Sequence, residues 1–255
     1  MSIVLRCKTL FSSLLWVVLG MTLMTSCGGY RDKHIYKVAF DPAWFGLELL
    51  GQENTISGFS QDLLKEVAKI GKIQITLLYA NKDHLVEDLK TKTYDAILSS
   101  IYPYLFNLTY FDFSDPYLLT GPVLVTPFSS KISSIDKLDG KEIAILPNTN
   151  GSLYLEKNPA ILIREYGSIP DALNGIVEGS LDGAVFDILI ARAYCRNIYQ
   201  GKLRVAGDPF NDAGLRLLTL ENSSPHLLQI FNKALRELKK SGKYDTLLKK
   251  WSLDV

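Results

Sequence analysis

The chain has 255 residues, 47% of them apolar and 22% charged, with 28 basic side chains against 27 acidic ones. This is a globular composition with enough apolar content for a sizeable core, and neither the charge balance nor any basic run points to a nucleic-acid partner. The length fits one large domain or two small ones.

Taken from the N-terminus, Arg6 and Lys8 form a short basic region, and Leu10 to Met24 is almost wholly apolar, broken only by Ser12, Ser13, Gly20 and Thr22. This is the pattern of a secretory signal peptide over residues 1–26, its apolar run being short for a membrane span. Met24-Thr25-Ser26-Cys27, followed by Gly28 and Gly29, resembles a bacterial lipobox, in which cleavage leaves Cys27 as the lipid-bearing N-terminus. The other reading is an uncleaved anchor helix with an incidental cysteine. Both place the rest of the chain in the periplasm or at the outer cell surface, held to the membrane through a tether at 27–34. After cleavage Cys195 is the only thiol besides Cys27, so no internal disulfide is expected and the fold must stand on its core.

From residue 35 strands alternate with helices. Ile35–Phe40 reads as a strand, and Ser60 as the cap of a helix reaching Ile70, with Gly71 just past its end. Strands at Ile73–Leu78 and Tyr94–Leu98 flank a helix at Lys82–Lys90, and Val123–Thr126 is a further strand. A second series follows: strand Glu142–Leu146, helix Gly151–Lys157, strand Ile161–Glu165, helix Ile169–Glu178, strand Gly183–Phe186, helix Ile188–Asn197 and strand Leu203–Val205. Gly214–Leu220 is one more strand. Ser224-Pro225 then opens a helix whose Leu227, Leu228, Phe231, Ala234, Leu235 and Leu238 share one face, Gly242 ends it, and Tyr244–Trp251 is a short last helix. Such alternation predicts an α/β fold with mainly parallel sheets. Tyr94-Asp95-Ala96-Ile97-Leu98 and Leu181-Asp182-Gly183-Ala184-Val185-Phe186 each follow a helix, and this echo suggests two lobes of similar build.

In open parallel sheets ligands bind beyond the carboxyl ends of the strands, and those ends are polar here. The first strand runs into Asp41 and then Trp44. The third runs into Ser99 and Ser100, with Tyr102 and Tyr104 beyond. In the second series the ends carry Asn148, Thr149 and Asn150, and Asp187. A cleft between two lobes would gather carboxylates, hydroxyls, amides and aromatic faces, as a polar-ligand site requires. Each residue also has a plainer reading: Asp41 as a turn before Pro42, Trp44 as core, Ser99 and Ser100 as caps of the next segment, Asn148 to Asn150 as a helix cap, and Asp187 as the cap of the following helix. As a ligand residue, Asp187 would hold an amine. Free N–H groups beside Thr149 would suit a carboxylate.

Three ordered stretches carry a family resemblance. They are Gly58-Phe59-Ser60-Gln61-Asp62-Leu63; Tyr94-Asp95-Ala96-Ile97 with Asp112-Phe113-Ser114-Asp115-Pro116-Tyr117; and Ala234-Leu235 through Ser241-Gly242-Lys243-Tyr244 to Lys250-Trp251. The chain resembles the family 3 extracellular solute-binding proteins, receptors that feed polar amino acids to ABC importers. The resemblance implies a two-lobed, type II periplasmic-binding-protein-like clamp. Lobe one would be 35–124 plus 211–255 and lobe two 125–210, with two hinge strands near Val123–Thr126 and Ala206–Ala213. It implies a monomer without cofactor that closes on its ligand and docks on a permease with its ATPase. It places Asp187 on the ligand's α-amino group, Trp44 on its flank, Asp41 toward a side-chain amide as in the glutamine-binding type, and Thr149 and Asn150 on the α-carboxylate.

Asn107 stands where the family has a carboxylate-gripping Arg. Either another cation replaces it, Lys82 being the candidate against the plainer reading of a solvated surface lysine, or the ligand offers no free carboxylate there. Glutamine is favoured among polar amino acids, with a peptide or modified amino acid as the alternative. A periplasmic dehydratase-like enzyme is the rival class. Asp41 or Asp187 would then have to act as base, yet no acid–base partner is placed for either, and His34, His84 and His226 lack metal-ligand spacing, so neither catalysis nor a metal is expected.

Overall fold

The structure, a computed structural model, describes residues 34–41 and 53–254. Residues 1–26, expected to be a signal peptide, and also Cys27 and Trp44 lie outside the described residues, and the elements below all belong to the unit Ile35–Val255.

The strand pattern of the sequence becomes two separate sheets. In the first, β1 (Ile35–Phe40) is flanked in parallel by β2 (Gln74–Tyr79) and β3 (Ala96–Ser99). The connections to β2 and β3 run through helices α1 (Glu53–Gly71) and α2 (Leu85–Lys90). Two very short strands follow, β4 (Phe111–Phe113) and β5 (Leu118–Leu119), neither of which shows in the sequence pattern. The second sheet collects β6 (Pro122–Pro127), β7 (Glu142–Ile145), β8 (Leu162–Glu165), β9 (Gly183–Asp187) and β10 (Leu203–Ala206), in the order β10-β6-β9-β7-β8. Its helices are α3 (Asn150–Leu155), α4 (Ile169–Val177) and α5 (Ile188–Asn197). The chain then returns, and β11 (Gly214–Leu220) completes the first sheet, antiparallel to β3 and β4, in the order β2-β1-β3-β11-β4 with β5 also on β11. Helices α6 (Pro225–Lys240) and α7 (Lys243–Lys250) end the chain and pack on α1.

Both sheets are therefore mixed. Strands joined through a helix run parallel, as right-handed crossovers demand. Antiparallel pairs arise at β6, β10 and β11, the strands nearest the two passages between sheets. Those passages lie at Thr120–Gly121 and at residues 207–213. The second lies within the stretch Ala206–Ala213 where the resemblance implies a hinge. The first falls earlier than expected: Val123–Thr126 is fully buried strand interior in the second sheet, because its unbroken apolar run pairs on both sides, with β9 and β10.

The apolar face of α6 behaves as its spacing predicts: Leu227, Leu228, Phe231, Ala234, Leu235 and Leu238 are all buried. Each such side chain contributes about 1.5–3 kcal/mol of transfer free energy. Ser60 does not cap a helix. It lies inside α1, whose first turn starts at Glu53, and its hydroxyl donates back to the Ile56 carbonyl at 2.8 Å while meeting the Tyr117 hydroxyl at 3.0 Å. A buried Ser can satisfy itself this way mid-helix, which hides it from cap-based reasoning.

Candidate functional site

The ends of β1 and β3 meet in the first sheet. The Asp41 N–H donates to the Leu98 carbonyl at 3.0 Å, continuing the β1–β3 ladder by one bond. The Ser99 hydroxyl donates to Asp41 Oδ2 at 2.6 Å and accepts from the Ile101 N–H at 3.1 Å. Asp41 and Ser99 are 1% and 0% exposed, so the pair is buried at the end of the sheet, while Ser100 beside them is half-buried. Lys82 opens a short 3-10 turn, Lys82–His84, directly after β2, and Asn81 caps that turn by accepting from the Asp83 N–H at 3.0 Å.

Beyond β3 the chain folds into a tight loop. Asn107 uses its amide within the loop: Nδ2 donates to the Tyr102 carbonyl at 2.8 Å, and its backbone N–H donates to the Tyr104 carbonyl at 2.8 Å. That amide holds the turn, a use open to Asn and its short side chain in any sharp loop. The rings of Tyr102, Tyr104 and Phe106 pack in series, the first pair tilted and the second stacked, with centroids 4.7 and 5.5 Å apart. Tyr104 and Phe106 are exposed.

In the second sheet the ends of β7 and β9 frame a pocket of about 420 Å³, lined by residues 146–151, Ile169, Val185, Phe186, Asp187 and Ile190. Asn148, Thr149, Asn150 and Asp187 thus share one pocket. Asn148 has φ of +59°, a left-handed conformation that Asn tolerates better than most residues. Thr149 spends its hydroxyl locally: it donates to the Leu146 carbonyl at 2.9 Å and accepts from the Ser152 N–H at 3.2 Å, capping α3.

Asp187 differs from all of these. It occupies the N-cap position of α5 yet makes no side-chain cap hydrogen bond, and no hydrogen bond or ion pair of its carboxylate occurs among the described residues. Burial pushes its carboxyl up to about 6. Asp187 also stands against the first passage, since it pairs with Pro122 and the next N–H, that of Ile188, donates to the Gly121 carbonyl at 3.1 Å. A partly dehydrated carboxylate without a partner is set up to gain from a cation brought to it.

Two residues were not singled out by the sequence. Arg216, in β11 opposite Ser99, is 5% exposed. Its Nη1 donates to the Ser114 carbonyl at 2.9 Å, and Nη2 to the Asp212 carbonyl at 2.8 Å and to Oδ2 of Asp212 at 2.6 Å. Asp212 lies in the second passage and accepts from the Tyr102 hydroxyl at 2.7 Å through its other oxygen. The only signal in the sequence was an Arg within an otherwise apolar strand, which needs a buried acceptor.

Burial raises the Cys195 thiol to about 11, which disfavours the nucleophilic thiolate. Among the described residues no group of three His, Cys, Asp or Glu side chains is placed to hold a metal, and no helix is long and apolar enough to cross a membrane.

Comparison with known proteins agrees with this geometry. The family model for bacterial extracellular solute-binding proteins, family 3, matches residues 36–254. A probable histidine-binding protein of Neisseria gonorrhoeae is 24% identical over 89% of this chain and 90% of its own length. The ABC transporter glutamine-binding protein GlnH of Bacillus subtilis is 27% identical over 87% of this chain and 81% of its own. Among solved structures, the unliganded open L-cystine solute receptor of Neisseria gonorrhoeae superimposes with a TM-score of 0.67 at 18% identity, covering 88% of this chain and 95% of that one. At that identity the likeness speaks to the fold, a type II periplasmic-binding-protein-like architecture.

Proposed function

We propose, from the premise that this chain belongs to the bacterial extracellular solute-binding proteins, family 3, that it is the lipid-anchored capture subunit of an amino-acid ABC importer. In this reading a monomeric two-lobed clamp binds a small polar amino acid, or a related amine, between its lobes and delivers it to a permease and ATPase. The observation that carries the reading is Asp187: a carboxylate in a pocket, with its carboxyl raised by burial to about 6 and no partner of its own. An α-ammonium group would supply the missing charge and hydrogen-bond donors, and a charge-assisted contact of this kind contributes roughly 1.5–3 kcal/mol.

Glutamine is the first solute to test, because the Bacillus subtilis relative is named for it. Histidine follows, because a relative is named for it. A thermal-shift screen of the amino acids and of short peptides tests the reading, since a ligand that binds only the folded state raises the melting temperature. At least one free amine-bearing member should raise it, and its N-acetyl form should not. A screen in which none does, at millimolar concentration, overturns the reading. The anchor is tested separately. Radiolabelled palmitate should enter the full chain expressed in a bacterium and be lost in Cys27→Ala; label retained in that variant would reject Cys27 as the anchor.

A further inference from the structure

The second passage between the sheets is tied down by side chains as well as by backbone. The Phe210 N–H donates to the Pro122 carbonyl at 2.8 Å, and the Thr120 and Gly121 N–H groups both donate to the Ala213 carbonyl, at 2.9 and 3.1 Å. The two passages therefore run side by side. They approach so closely that a Cβ on Gly121 would stand 2.5 Å from Asn211 Oδ1 and 3.1 Å from the Asn211 carbonyl oxygen. Within this bundle Asp212 has its backbone in the passage and its carboxylate in the first sheet. One oxygen takes Arg216, the other the Tyr102 hydroxyl. Arg216 is buried in β11, so one end of the bridge is anchored in rigid sheet. Tyr102, half-buried, is the base of a ring series whose Tyr104 and Phe106 are exposed, so the other end is the loop that follows β3.

We propose that Asp212 is a hinge-positioning residue: by bridging Arg216 and the Tyr102 hydroxyl it fastens the second passage to the aromatic loop, so that the hinge and the loop move together. The electrostatics agree with the geometry. Hydrogen bonding to Asp212 raises the Tyr102 phenol, and the same bond, with Arg216, lowers the Asp212 carboxyl. A hinge must absorb backbone rotation at a few residues. A side chain that clamps one of them sets how readily that rotation occurs. The clamp reading supplies the purpose of this latch but not its geometry, and the test needs no solute, so failure of either leaves the other standing.

The test is hydrogen–deuterium exchange on the full chain in detergent, comparing wild type with Tyr102→Phe, Asp212→Asn and the double variant. Tyr102→Phe deletes one hydroxyl and touches none of the backbone bonds in the passages. It should speed exchange in peptides covering 118–122 and 208–214 by about threefold to tenfold, the range expected for one lost hydrogen bond. Peptides covering β1 and β7 should keep wild-type rates. The double variant should exceed Asp212→Asn by less than twofold, because the uncharged amide has one acceptor oxygen for two donors and the bridge is already weakened. Equal acceleration everywhere would mark a merely structural contact and overturn the proposal. So would wild-type exchange in the passages of folded Tyr102→Phe. Should Asp212→Asn fail to fold, Tyr102→Phe alone still decides.

Discussion

At the scale of single residues, the chemistry concentrates on Asp187. Its folded carboxyl sits at about 6 against an ordinary value of 3.8, a difference of about 3 kcal/mol between the two protonation states. A carboxyl raised on folding contributes stability that is full below the unfolded value and is lost as pH rises through the folded one. The free protein should therefore lose stability between roughly pH 4 and pH 7 at this one site. Asp187→Asn should raise the urea midpoint at pH 7.5, with a gain of about 1–3 kcal/mol, and change it little at pH 4; equal shifts at both pH values would contradict the assignment. Bound amine works in the opposite direction, since it holds the carboxylate ionised. Affinity for an amine-bearing solute should then fall as pH drops below about 6, approaching tenfold per unit, and titrations at pH 7.5 and pH 5 measure it.

At the scale of elements, the three sequence motifs turn out to be one structural joint. Gly58 of α1 faces the Trp251 ring so closely that a Cβ would meet it at 2.1 Å. Asp62, one turn on, accepts from Trp251 Nε1 at 3.1 Å and from Lys250 and Lys65, and these bonds hold its carboxyl down at about 2. Phe59 packs on both Tyr117 and Tyr244, and the Tyr244 hydroxyl donates to the Tyr117 carbonyl at 2.6 Å. The family pattern thus records how α1, the loop before β5 and α7 lock together, and it says little about the ligand. Gly58→Ala should destabilise by about 1–3 kcal/mol through overpacking. Ser60→Ala should cost a similar amount, about 1–3 kcal/mol, because it strips the fully buried Tyr117 hydroxyl of its partner. Chemical denaturation of either variant checks this, and wild-type stability in both would deny the joint. Helix positions were largely legible because apolar residues recur with period 3.6 along them, and strand positions because β3, β6, β7, β9 and β11 are short, almost continuously buried apolar runs. β4 and β5 were not, since three and two residues are too short to show a period and exist only because β11 pairs with them. The start of α1 was missed for a related reason: its first turns precede the polar signal at Ser60.

At the scale of the whole molecule, two sheets linked by two adjacent passages place one set of strand ends on each side. Sequence reasoning reached Asp41, Ser99, Asn148, Thr149, Asn150 and Asp187 because they follow predicted strands, and topology puts functional groups there. It did not separate their tasks. Asp41 with Ser99, Asn107 and Thr149 are engaged in bracing backbone, whereas Asp187 is left without a partner. Which hydrogen bonds a polar residue makes depends on neighbours distant in sequence, and Asp212, 110 residues from Tyr102, is the clearest case. A clamp of this build responds to a solute only through the solute's preference for the closed form. The most direct measurement is calorimetric titration of the solute found by thermal shift into wild type and Asp187→Asn at pH 7.5. Loss of about tenfold to 150-fold in affinity, from a variant as stable as wild type or more so, is the predicted result. Affinity within threefold of wild type would contradict the account.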